Sequence, residues 1–512
     1  MTPPPPTAMV LTPTAFLERS AVVFGDRTAV VDGGRRTTYA DWLVRVRRMA
    51  GLLRGLGVRD GDRVAVLSPN THLLLDAHYG VPLSGAVLVT LNIRLTPSEL
   101  AYIVEHSGAS VLLYDESLAG VAEQLPVATK LRSDAYESAL GDAPEYGRAP
   151  DDEWAVMSLN YTSGTTGRPR GVMYHHRGAY LQSLAMAYHG RLDTSTVHLW
   201  TLPMFHCHGW AFTWAVTAAG GTHVCLPRVR PDAVWRLIAD EGVTSLNAAP
   251  TVLVDLAADP GAARQEPPVE VGTGGAPPSP ALLSRLADLG FRVTHLYGLT
   301  ETFGPSVVSE VPTGLDAAPI AEQARFKARQ GNANIAGSPI RVVDADFRDV
   351  PADGTTIGEI VVTGNTVALG YYRDEEATAE SFGSGWFRTG DLGVMHPDFY
   401  AEIRDRAKDV IISGGENVAS IEVEQALEQH PSVLEAAVVA APHPRWGEVP
   451  VAFVNLADGA AVTDDDLLGF ARTLLPGFKV PKALYRDELP KTGTGKIQKF
   501  RLRELARSRA PH

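Results

Sequence analysis

A glycine- and hydroxyl-rich segment at residues 161–171, YTSGTTGRPRG, has the composition of a loop that holds phosphate. Its glycines permit tight turns and close approach of the backbone to a ligand. Its hydroxyls and free N–H groups can donate to phosphate oxygens, and Arg168 and Arg170 add positive charge. The segment lacks the G-x-x-x-x-G-K-[ST] pattern, so it is not a Walker A loop. The alternative is an ordinary polar surface loop.

Two further segments carry carboxylates directly after strand-like runs. Glu301, beside Thr300, has the chemistry of a magnesium ligand, because Mg²⁺ prefers carboxylate oxygens close to phosphates. Tyr297 offers an aromatic face for a base. Asp391 follows a glycine and can accept two hydrogen bonds from a ribose diol. Each pattern alone also fits a capped helix start or a common turn.

Lysine is rare in this chain and concentrated at its C-terminal end. There are 8 Lys against 38 Arg, and five of the eight lysines fall in the last 34 residues. Residues 490–497, PKTGTGKI, resemble a Walker A fragment, but Pro490 stands where the first Gly belongs and Ile497 where Ser or Thr belongs. We interpret the segment as a mobile Gly/Thr loop that carries Lys496. The alternatives are a basic solvated tail and a lysine with a task that Arg could not perform.

Composition excludes several classes of protein. The chain has 512 residues, enough for two or three domains, and a formal net charge of −13, which argues against broad binding of nucleic acid or anionic membranes. Two cysteines exclude a disulfide scaffold and fit a reducing compartment. The start has no signal-peptide pattern, and glycines interrupt the apolar stretch 209–226, which predicts a buried helix and strand rather than a membrane span. We therefore expect a cytoplasmic protein.

Short apolar runs alternate with helix-like segments along most of the chain, which predicts parallel strands covered by helices, an α/β fold. Residues 30–39 instead predict a hairpin with a turn at 32–34. The pattern changes near residue 406, where a charge cluster precedes a small α+β domain. The predicted organisation is a disordered Pro-rich start at 1–13, a large domain at 14–407 and a small domain at 408–512, with a hinge near Lys408.

These segments, in their order and spacing, resemble the adenylate-forming superfamily, which includes acyl-CoA synthetases, the adenylation domains of peptide synthetases, and luciferases. The resemblance covers residues 14 to 505. Further motifs that carry it are GTGGAPPS at 272–279, GYYR at 370–373, WFRTGDL at 386–392, DRAKDVIISGGEN at 405–417 and PKTGTGK at 490–496. It implies a large N-terminal domain of α/β layers with parallel sheets and a small β-barrel-like part, followed by a small mobile α+β domain.

The resemblance also implies a two-step reaction and a role for each matching residue. A carboxylate attacks the α-phosphate of ATP to form an acyl-adenylate and pyrophosphate, and a thiol, usually that of CoA, then displaces AMP. Lys496 would bridge the carboxylate and the α-phosphate, Thr300 would bind the α-phosphate, Glu301 would bind Mg²⁺, and the small domain would rotate about Lys408 between steps. The residues implied to bind ATP or CoA are Thr162, Ser163, Gly164, Thr165, Thr166, Gly167 and Arg170 (β- and γ-phosphates), Gly275, Ala276, Tyr297 and Gly298 (adenine side), Asp391 and Arg406 (ribose), and Gly414 and Gly415 (thiol channel).

Residues 202–210, LPMFHCHGW, resemble the segment flanking the acyl pocket in medium-chain and aryl-type members of the superfamily. His206 keeps a common position beside the carboxylate, whereas His208 stands where Asn is usual. The His-Cys-His sequence at 206–208 could also indicate a metal site, but no fourth ligand is near. A packed or hydrogen-bonded histidine pair is therefore the favoured interpretation. The predicted pocket residues are Trp210, Gly274, Phe303, Gly304 and His208, with Phe303 limiting depth. Trp210 also fits plain helix core.

The sequence thus predicts an ATP- and Mg²⁺-dependent acid–CoA ligase for a short or medium-chain or aromatic acid. Three alternatives stay open. The chain could load an acid onto a separate carrier protein, adenylate an acid for another acceptor such as an amine, or be a non-catalytic homologue. The residues at 301, 391, 406 and 496 argue against the last. Nothing in the sequence decides whether it forms a homodimer.

Overall fold

The computed structural model describes residues 9–162, 169–275, 278, 280–312, 314–406, 409–413, 416–457, 459–491 and 497–509. Ten residues predicted to act in the site or at the hinge lie outside these ranges, namely Ser163, Gly164, Thr165, Thr166, Gly167, Ala276, Lys408, Gly414, Gly415 and Lys496. Their predicted roles therefore stay predictions.

The strands, in chain order, belong to four sheets. They are β1 (Thr28–Asp32), β2 (Arg35–Thr38), β3 (Arg63–Leu67), β4 (Val87–Thr90), β5 (Ala109–Tyr114), β6 (Thr129–Arg132), β7 (Val156–Tyr161), β8 (Gly171–His175), β9 (Val197–Leu199), β10 (Thr222–Val224), β11 (Ser245–Ala248), β12 (Val269–Gly274), β13 (Phe291–Leu299), β14 (Gly304–Val308), β15 (Asn332–Ala333), β16 (Arg341–Val343), β17 (Gly358–Val362), β18 (Phe387–Met395), β19 (Ala401–Arg406), β20 (Ile411–Ser413), β21 (Glu416–Val418), β22 (Val433–His443), β23 (Gly447–Leu456) and β24 (Ala483–Tyr485).

The helices fill the connections between these strands. They are α1 (Thr14–Val23), α2 (Tyr39–Gly55), α3 (His72–Leu83), α4 (Pro97–Ser107), α5 (Ala119–Ala122), α6 (Ser133–Asp142), α7 (His176–His189), α8 (Cys207–Trp210), α9 (Phe212–Ala219), α10 (Pro231–Glu241), α11 (Pro250–Ala258), α12 (Pro280–Asp288), α13 (Ile320–Lys327), α14 (Glu375–Phe382), α15 (Ser420–Glu428), α16 (Asp464–Leu474) and α17 (Lys499–Ser508). Short 3₁₀ turns lie at Glu116–Leu118, Thr300–Thr302 and Leu315–Ala317.

Two largely parallel sheets form the large domain. One has the order β15-β14-β13-β12-β11-β9-β10-β1-β2 and the other β6-β5-β3-β4-β7-β8. In the first, the pairs from β13 through β12, β11, β9 and β10 to β1 are parallel, and the pairs at its two ends are antiparallel. In the second, only β7–β8 is antiparallel. The apolar runs at 63–67, 87–90, 111–114, 222–227, 245–247 and 293–297 are thus confirmed as parallel strands. The run at 359–363 instead forms β17, whose pairs with β16 and β18 are antiparallel, so its prediction as a parallel strand is wrong.

Helices lie on both faces of each sheet. One apolar core joins residues of α1, α2, α3, α7 and α9 to strands of both sheets, so these helices are sandwiched between them. A second core packs α10, α11 and α12 on the other face of the nine-stranded sheet, and a third packs α4 and α5 against the six-stranded sheet. The predicted α/β layers are confirmed.

The small β part of the large domain is an antiparallel sheet in the order β16-β17-β18-β19. It packs against the nine-stranded sheet through a core that includes Tyr297 and Val307. After residue 408 comes the predicted small α+β domain, a sheet in the order β21-β20-β23-β22 with β24 beside β23. Helices α15 and α16 cover one face of this sheet and α17 the other.

Two predictions about the N-terminal half meet the structure directly. The hairpin at 30–39 is confirmed as β1–β2, with Gly33 at a φ of 57° in the turn. The disordered start predicted for 1–13 does not extend to Thr12, which is buried and whose hydroxyl lies 3.0 Å from Nδ1 of His176. Within the described ranges, no helix combines the length and apolar character needed to cross a membrane.

Candidate active site

The predicted site residues collect where parallel strands of both sheets end. Strand β7 ends at Tyr161 and leads into Thr162, whose N–H donates to the carbonyl of Arg170 at 2.9 Å. Strand β12 ends at Gly274 and β13 at Leu299 in the other sheet. The carboxyl ends of parallel strands are where α/β folds place ligands. The strand that leads into the phosphate-type segment and the strand that leads into the acidic turn therefore each end at the carboxyl edge of a sheet.

Residues 368–372 connect these two sheets at that edge. The N–H of Ala368 donates to the carbonyl of Glu301 at 2.8 Å, and the N–H of Tyr372 donates to the carbonyl of Gly171 at 2.7 Å. The N–H of Met173 in strand β8 donates to the carbonyl of Gly370 at 3.0 Å, and the N–H of Leu369 donates to the carbonyl of Met173 at 3.1 Å. The GYYR motif thus ties the acidic turn of one sheet to the loop-flanking strand of the other.

Thr302 and Gly298 shape the turn that presents Thr300 and Glu301. The hydroxyl of Thr302 accepts the N–H of Leu299 at 3.0 Å and donates to the carbonyl of Gly304 at 2.8 Å. A Cβ on Gly298 would lie 1.9 Å from the Gly304 carbonyl oxygen, so only glycine fits there. The tight crossing fixes the backbone that leads into residues 300 and 301 at the strand end.

Glu301 has a specific hydrogen-bond partner. The phenol of Tyr371 donates to its Oε1 at 2.9 Å. Burial raises the pKa of Glu301 above its usual value, while the Tyr371 hydrogen bond acts in the opposite direction. A carboxylate retains lone pairs beyond one accepted hydrogen bond. The Glu301 donor set therefore fits a hard cation such as Mg²⁺.

Arg170 lies close to the same tyrosine. Its guanidinium sits over the Tyr371 ring at 5.2 Å from the centroid, and its Nε lies 3.2 Å from Oδ2 of Asp374. Tyr371 consequently stands between the predicted phosphate-binding cation and the predicted magnesium ligand. Sequence reasoning quoted the GYYR motif but assigned Tyr371 no role; its position in that motif was the available signal.

Asp391, Arg406 and Tyr297 form a second group. Asp391 in β18 pairs across the antiparallel ladder with Arg406 in β19, and the Arg406 Nε lies 3.0 Å from Oδ1 of Asp391. The Tyr297 hydroxyl donates to Oδ2 of Asp391 at 2.8 Å. Gly275, which follows β12, is exposed and has a φ of 86°. The structure therefore brings the three residues predicted for adenine and ribose into one contact group.

The segment around Trp210 has an unusual backbone. Five successive residues, from Cys207 to Ala211, have φ between 47° and 63°, the left-handed region. The turn brings Trp210 over two glycines. Its indole lies 3.2 Å from where a Cβ on Gly274 would be and 3.1 Å from where one on Gly304 would be. Trp210, Gly274 and Gly304 thus come together as the sequence predicted.

His206 and Cys207 lie between Trp210 and the acidic turn. The Cys207 sulfur is 3.7 Å from His206 Nε2 and 3.7 Å from the hydroxyl of Thr300. Cys207 thus links His206 to Thr300, and the roles predicted for His206 and Thr300 stay predictions. Sequence reasoning missed Cys207, because a buried cysteine inside an apolar segment carries no pattern beyond core.

His208 occupies a different environment from Trp210. Its side chain is fully buried, and its Nε2 lies 2.6 Å from the hydroxyl of Ser158 and 2.8 Å from the amide nitrogen of Asn160. Its ring meets that of His78 edge to face. Burial, and then His78, lower the pKa of His208 well below its usual value, so it is neutral. This is the packed and hydrogen-bonded histidine that was favoured over a metal ligand.

Phe303 also points into the core. Its ring stacks on Tyr174 with centroids 3.9 Å apart and meets His175 edge to face at 5.2 Å. A Cβ on Gly178 would lie 2.6 Å from it. Phe303 therefore belongs to the packing between β8 and α7, and Trp210 is the aromatic residue that covers the glycines.

Among the residues that the structure describes, no cluster of three or more His, Cys, Asp and Glu could hold a metal ion.

Known proteins match nearly the whole length of this chain. The model of the AMP-binding enzyme family matches residues 17–372, and that of the AMP-binding enzyme C-terminal domain matches residues 422–496. An acetate–CoA ligase of Humulus lupulus is 43% identical over 97% of this chain and 95% of the relative. A trans-cinnamate:CoA ligase of Petunia hybrida, described as peroxisomal, is 40% identical over 97% of this chain and 94% of its own.

A solved structure has the same fold. The crystal structure of ATP-bound MatB from Rhodopseudomonas palustris superposes with a TM-score of 0.88 and 28% identity, covering 98% of this chain and 100% of that one. Layered parallel sheets, a site at their carboxyl ends and a small C-terminal domain define an adenylate-forming enzyme. The chain belongs to the AMP-binding enzyme family and is an AMP-forming acid–CoA ligase.

Proposed function

We propose that this enzyme activates short carboxylic acids and that Trp210 forms the wall limiting their length. The observation that carries the proposal is the indole lying against Gly274 and Gly304 at the end of strand β12. Cys207, at the start of the same turn, contacts both His206 and Thr300, and the Thr300 turn is where the carboxylate would meet the α-phosphate. The alkyl chain of an acid bound at that point would meet the indole of Trp210.

The acids named for the relatives frame the choice. One relative is an acetate–CoA ligase and another a trans-cinnamate:CoA ligase, so the family model alone does not select acid size. An aromatic acid is the second candidate, because an indole is also a good stacking partner for a ring. The close fit of Trp210 over the glycines favours the short acid.

The nucleotide would span the two groups of residues described above. Thr162 and Arg170 flank the loop proposed to hold the β- and γ-phosphates, and Arg170 supplies its positive charge. Asp391 and Arg406 would bind the ribose hydroxyls. Tyr297, with Gly275 and Ala276, would border adenine. Thr300 would bind the α-phosphate, so that the reacting phosphorus lies beside the acid turn.

Glu301 would hold Mg²⁺ through its carboxylate, with Tyr371 orienting it. When bound, the cation would neutralise phosphate charge. The chain's own contribution is to fix Glu301 and to favour its ionised form against the burial that raises its pKa. Tyr371 contributes to both, since its O–H donates to the carboxylate and its ring is held beside Arg170.

The first step joins two anions, so a cation at their junction lowers the barrier. We assign that task to Lys496. The carboxylate oxygen forms the bond to the α-phosphorus while the bond to pyrophosphate breaks. The CoA thiolate then attacks the acyl carbon and AMP leaves. Rotation about Lys408 would withdraw Lys496 after the first step and bring Gly414 and Gly415 to line the thiol path.

We also propose that the enzyme works in the cytoplasm, where its two buried free cysteines fit a reducing environment.

A pyrophosphate-release screen tests this function. Acetate, propionate, butyrate, hexanoate, octanoate, benzoate and cinnamate are each assayed with and without CoA, and thioester is identified by mass spectrometry. We expect acyl-CoA from the acids of two to four carbons. Thioester only from aromatic acids would replace the short-acid proposal with the second candidate. Acyl-adenylate without thioester would point to a carrier protein or an amine as acceptor.

A further inference from the structure

Tyr174 contacts both ends of the turn that carries Thr300. It lies in strand β8, only 1% exposed, and its hydroxyl donates to the Thr300 carbonyl at 2.6 Å. Its ring stacks on Phe303, the residue that follows the 3₁₀ turn, with the two planes 16° apart. Tyr174 thus holds the Thr300–Thr302 turn at its start by a hydrogen bond and at its end by stacking.

Cys207 contacts the other side of Thr300. Its sulfur lies 3.7 Å from the Thr300 hydroxyl oxygen, within hydrogen-bond distance for sulfur, and 3.7 Å from Nε2 of His206. The residue is 2% exposed, and burial raises the pKa of its thiol to about 11. It is therefore a neutral S–H at physiological pH, a donor to the Thr300 hydroxyl and not a nucleophile.

Cys207 also begins the left-handed turn that carries Trp210. Non-glycine residues are strained in this backbone region, so the turn needs contacts that hold it. One is the Thr213 hydroxyl, which donates to the His208 carbonyl at 3.1 Å. The Cys207 side chain is another, and it ties the turn to Thr300. The acid-binding turn and the phosphate-binding turn are thus joined through a single side chain.

We infer that Tyr174 and Cys207 are positioning residues for the first half-reaction, holding the Thr300 hydroxyl in register with the acid-binding turn. The inference rests on the proposed function in one respect, the role of Thr300 at the α-phosphate. Neither residue needs to touch a reacting atom. Their effect follows from geometry, because small displacements of a group that orients a reacting phosphate slow the reaction without weakening binding elsewhere.

Tyr174→Phe tests the first contact. It removes one O–H and keeps the ring on Phe303. Tyr79→Phe is the matched control, because Tyr79 is also fully buried and its hydroxyl also donates to a backbone carbonyl, that of Thr213, at 3.0 Å. In acid-dependent ATP–pyrophosphate exchange, we expect Tyr174→Phe to lower kcat about tenfold with KM for ATP within twofold. Tyr79→Phe should lower the melting temperature comparably and leave kcat unchanged.

Cys207→Ala tests the second contact, with Cys225→Ala as control because Cys225 is the other buried cysteine. We expect Cys207→Ala to lower kcat of exchange about fivefold. Cys207→Ser, which keeps a donor, should recover part of this loss, and Cys225→Ala should have no effect on kcat. Thioester formation from supplied acyl-adenylate should change less than exchange in all variants.

The outcomes separate the inference from the function it rests on. Exchange by the unmodified enzyme, together with kcat values for Tyr174→Phe and Cys207→Ala equal to those of their controls, would overturn the positioning role alone. A higher KM for ATP together with equal decreases in kcat of both half-reactions would also overturn it, because these changes indicate a general loss of structure. Absence of exchange by the unmodified enzyme with every acid would remove the proposed function and the inference together.

Discussion

The hydroxyl of Tyr297 donates a 2.8 Å hydrogen bond to Asp391, which belongs to a different sheet. Burial, and then the Asp391 charge, raise the pKa of Tyr297 well above its usual value, so it stays protonated and remains a donor. Arg406 contacts the second carboxylate oxygen at 3.0 Å. The proposed nucleoside site therefore forms only when the antiparallel sheet docks on the nine-stranded one.

Asp391→Asn should raise KM for ATP at least tenfold, about 1.4 kcal/mol, because the variant keeps the shape but loses the charge facing Arg406 and the ribose. ATP–pyrophosphate exchange at varied ATP measures it. Asp346→Asn, an exposed carboxylate that pairs with Arg348, is the control. An unchanged KM for ATP would contradict the ribose assignment.

Lys496→Ala should lower adenylation by several orders of magnitude while sparing thioester formation from supplied acyl-adenylate. The reason is that the cation is needed only where two anions meet. Both half-reactions are measured separately, by pyrophosphate release and by mass spectrometry of the thioester. Lys491→Ala is the control, because Lys491 pairs with Glu435 at 2.7 Å. Loss of both half-reactions together, or of neither, would show the assignment to be wrong.

Trp210→Leu should shift acid preference toward longer chains. Removing the indole opens space beside Gly274 and Gly304, and each buried CH₂ contributes about 0.8 kcal/mol, so two more carbons should gain about tenfold in kcat/KM. The ratio of kcat/KM for hexanoate to that for butyrate is the measurement. Trp235→Phe is the control, since that buried indole stacks on Phe291 in a different apolar core. Equal ratios in unmodified enzyme and Trp210→Leu would remove Trp210 from the pocket.

His208→Asn should alter acid preference more than KM for ATP. The His208 ring supports the left-handed turn from the side of Ser158 and Asn160, and Trp210 lies two residues further along that turn. We also expect a lower melting temperature, because a buried aromatic ring is lost. Identical relative kcat/KM values across the acid panel would dismiss a role for His208 in acid choice.

The stability of the large domain should fall as pH rises from 6.5 to 9. Burial lowers the pKa of His72, but hydrogen bonds to Asp32 and Glu137, with the charge of Asp76, raise it to about 9. A group whose folded pKa is raised stabilises the fold below its unfolded value near 6.5 and loses that contribution as pH passes through 9. The full effect is about 3 kcal/mol at most.

Thermal melting of the unmodified enzyme and of His72→Gln across pH 6 to 10 checks this. Glutamine keeps a donor without the charge. We expect the unmodified enzyme to melt several degrees higher at pH 6 and the difference to vanish by pH 10. Arg45, which also contacts Asp76 and Glu137, stays charged throughout and does not contribute to the change. A constant difference at all pH values would rule out titration of His72 as the cause.

Local sequence patterns were sufficient to predict the strands but not the direction of every side chain. Apolar runs predicted β3, β4 and β13 within two residues of their observed ends, because buried parallel strands read as continuous apolar segments. His208 and Phe303 were predicted to line the pocket with their neighbours Trp210 and Gly304. Left-handed backbone at 207–211 and at Phe303 changes the direction of successive side chains, which no periodicity indicates.

The chemistry of this enzyme could be predicted from its sequence alone. A phosphate-type loop, a carboxylate turn, a Gly-Asp turn and a lysine-bearing loop near the C-terminal end occur in an order that indicates an adenylate-forming enzyme. Each of these motifs depends on residues close together in the chain, whereas the side chains that support them come together only in the folded protein. Tyr174 lies 126 residues from Thr300 and Tyr371 lies 70 from Glu301. Such pairs arise from the docking of separate sheets, and short-range spacing in a sequence carries no record of that docking.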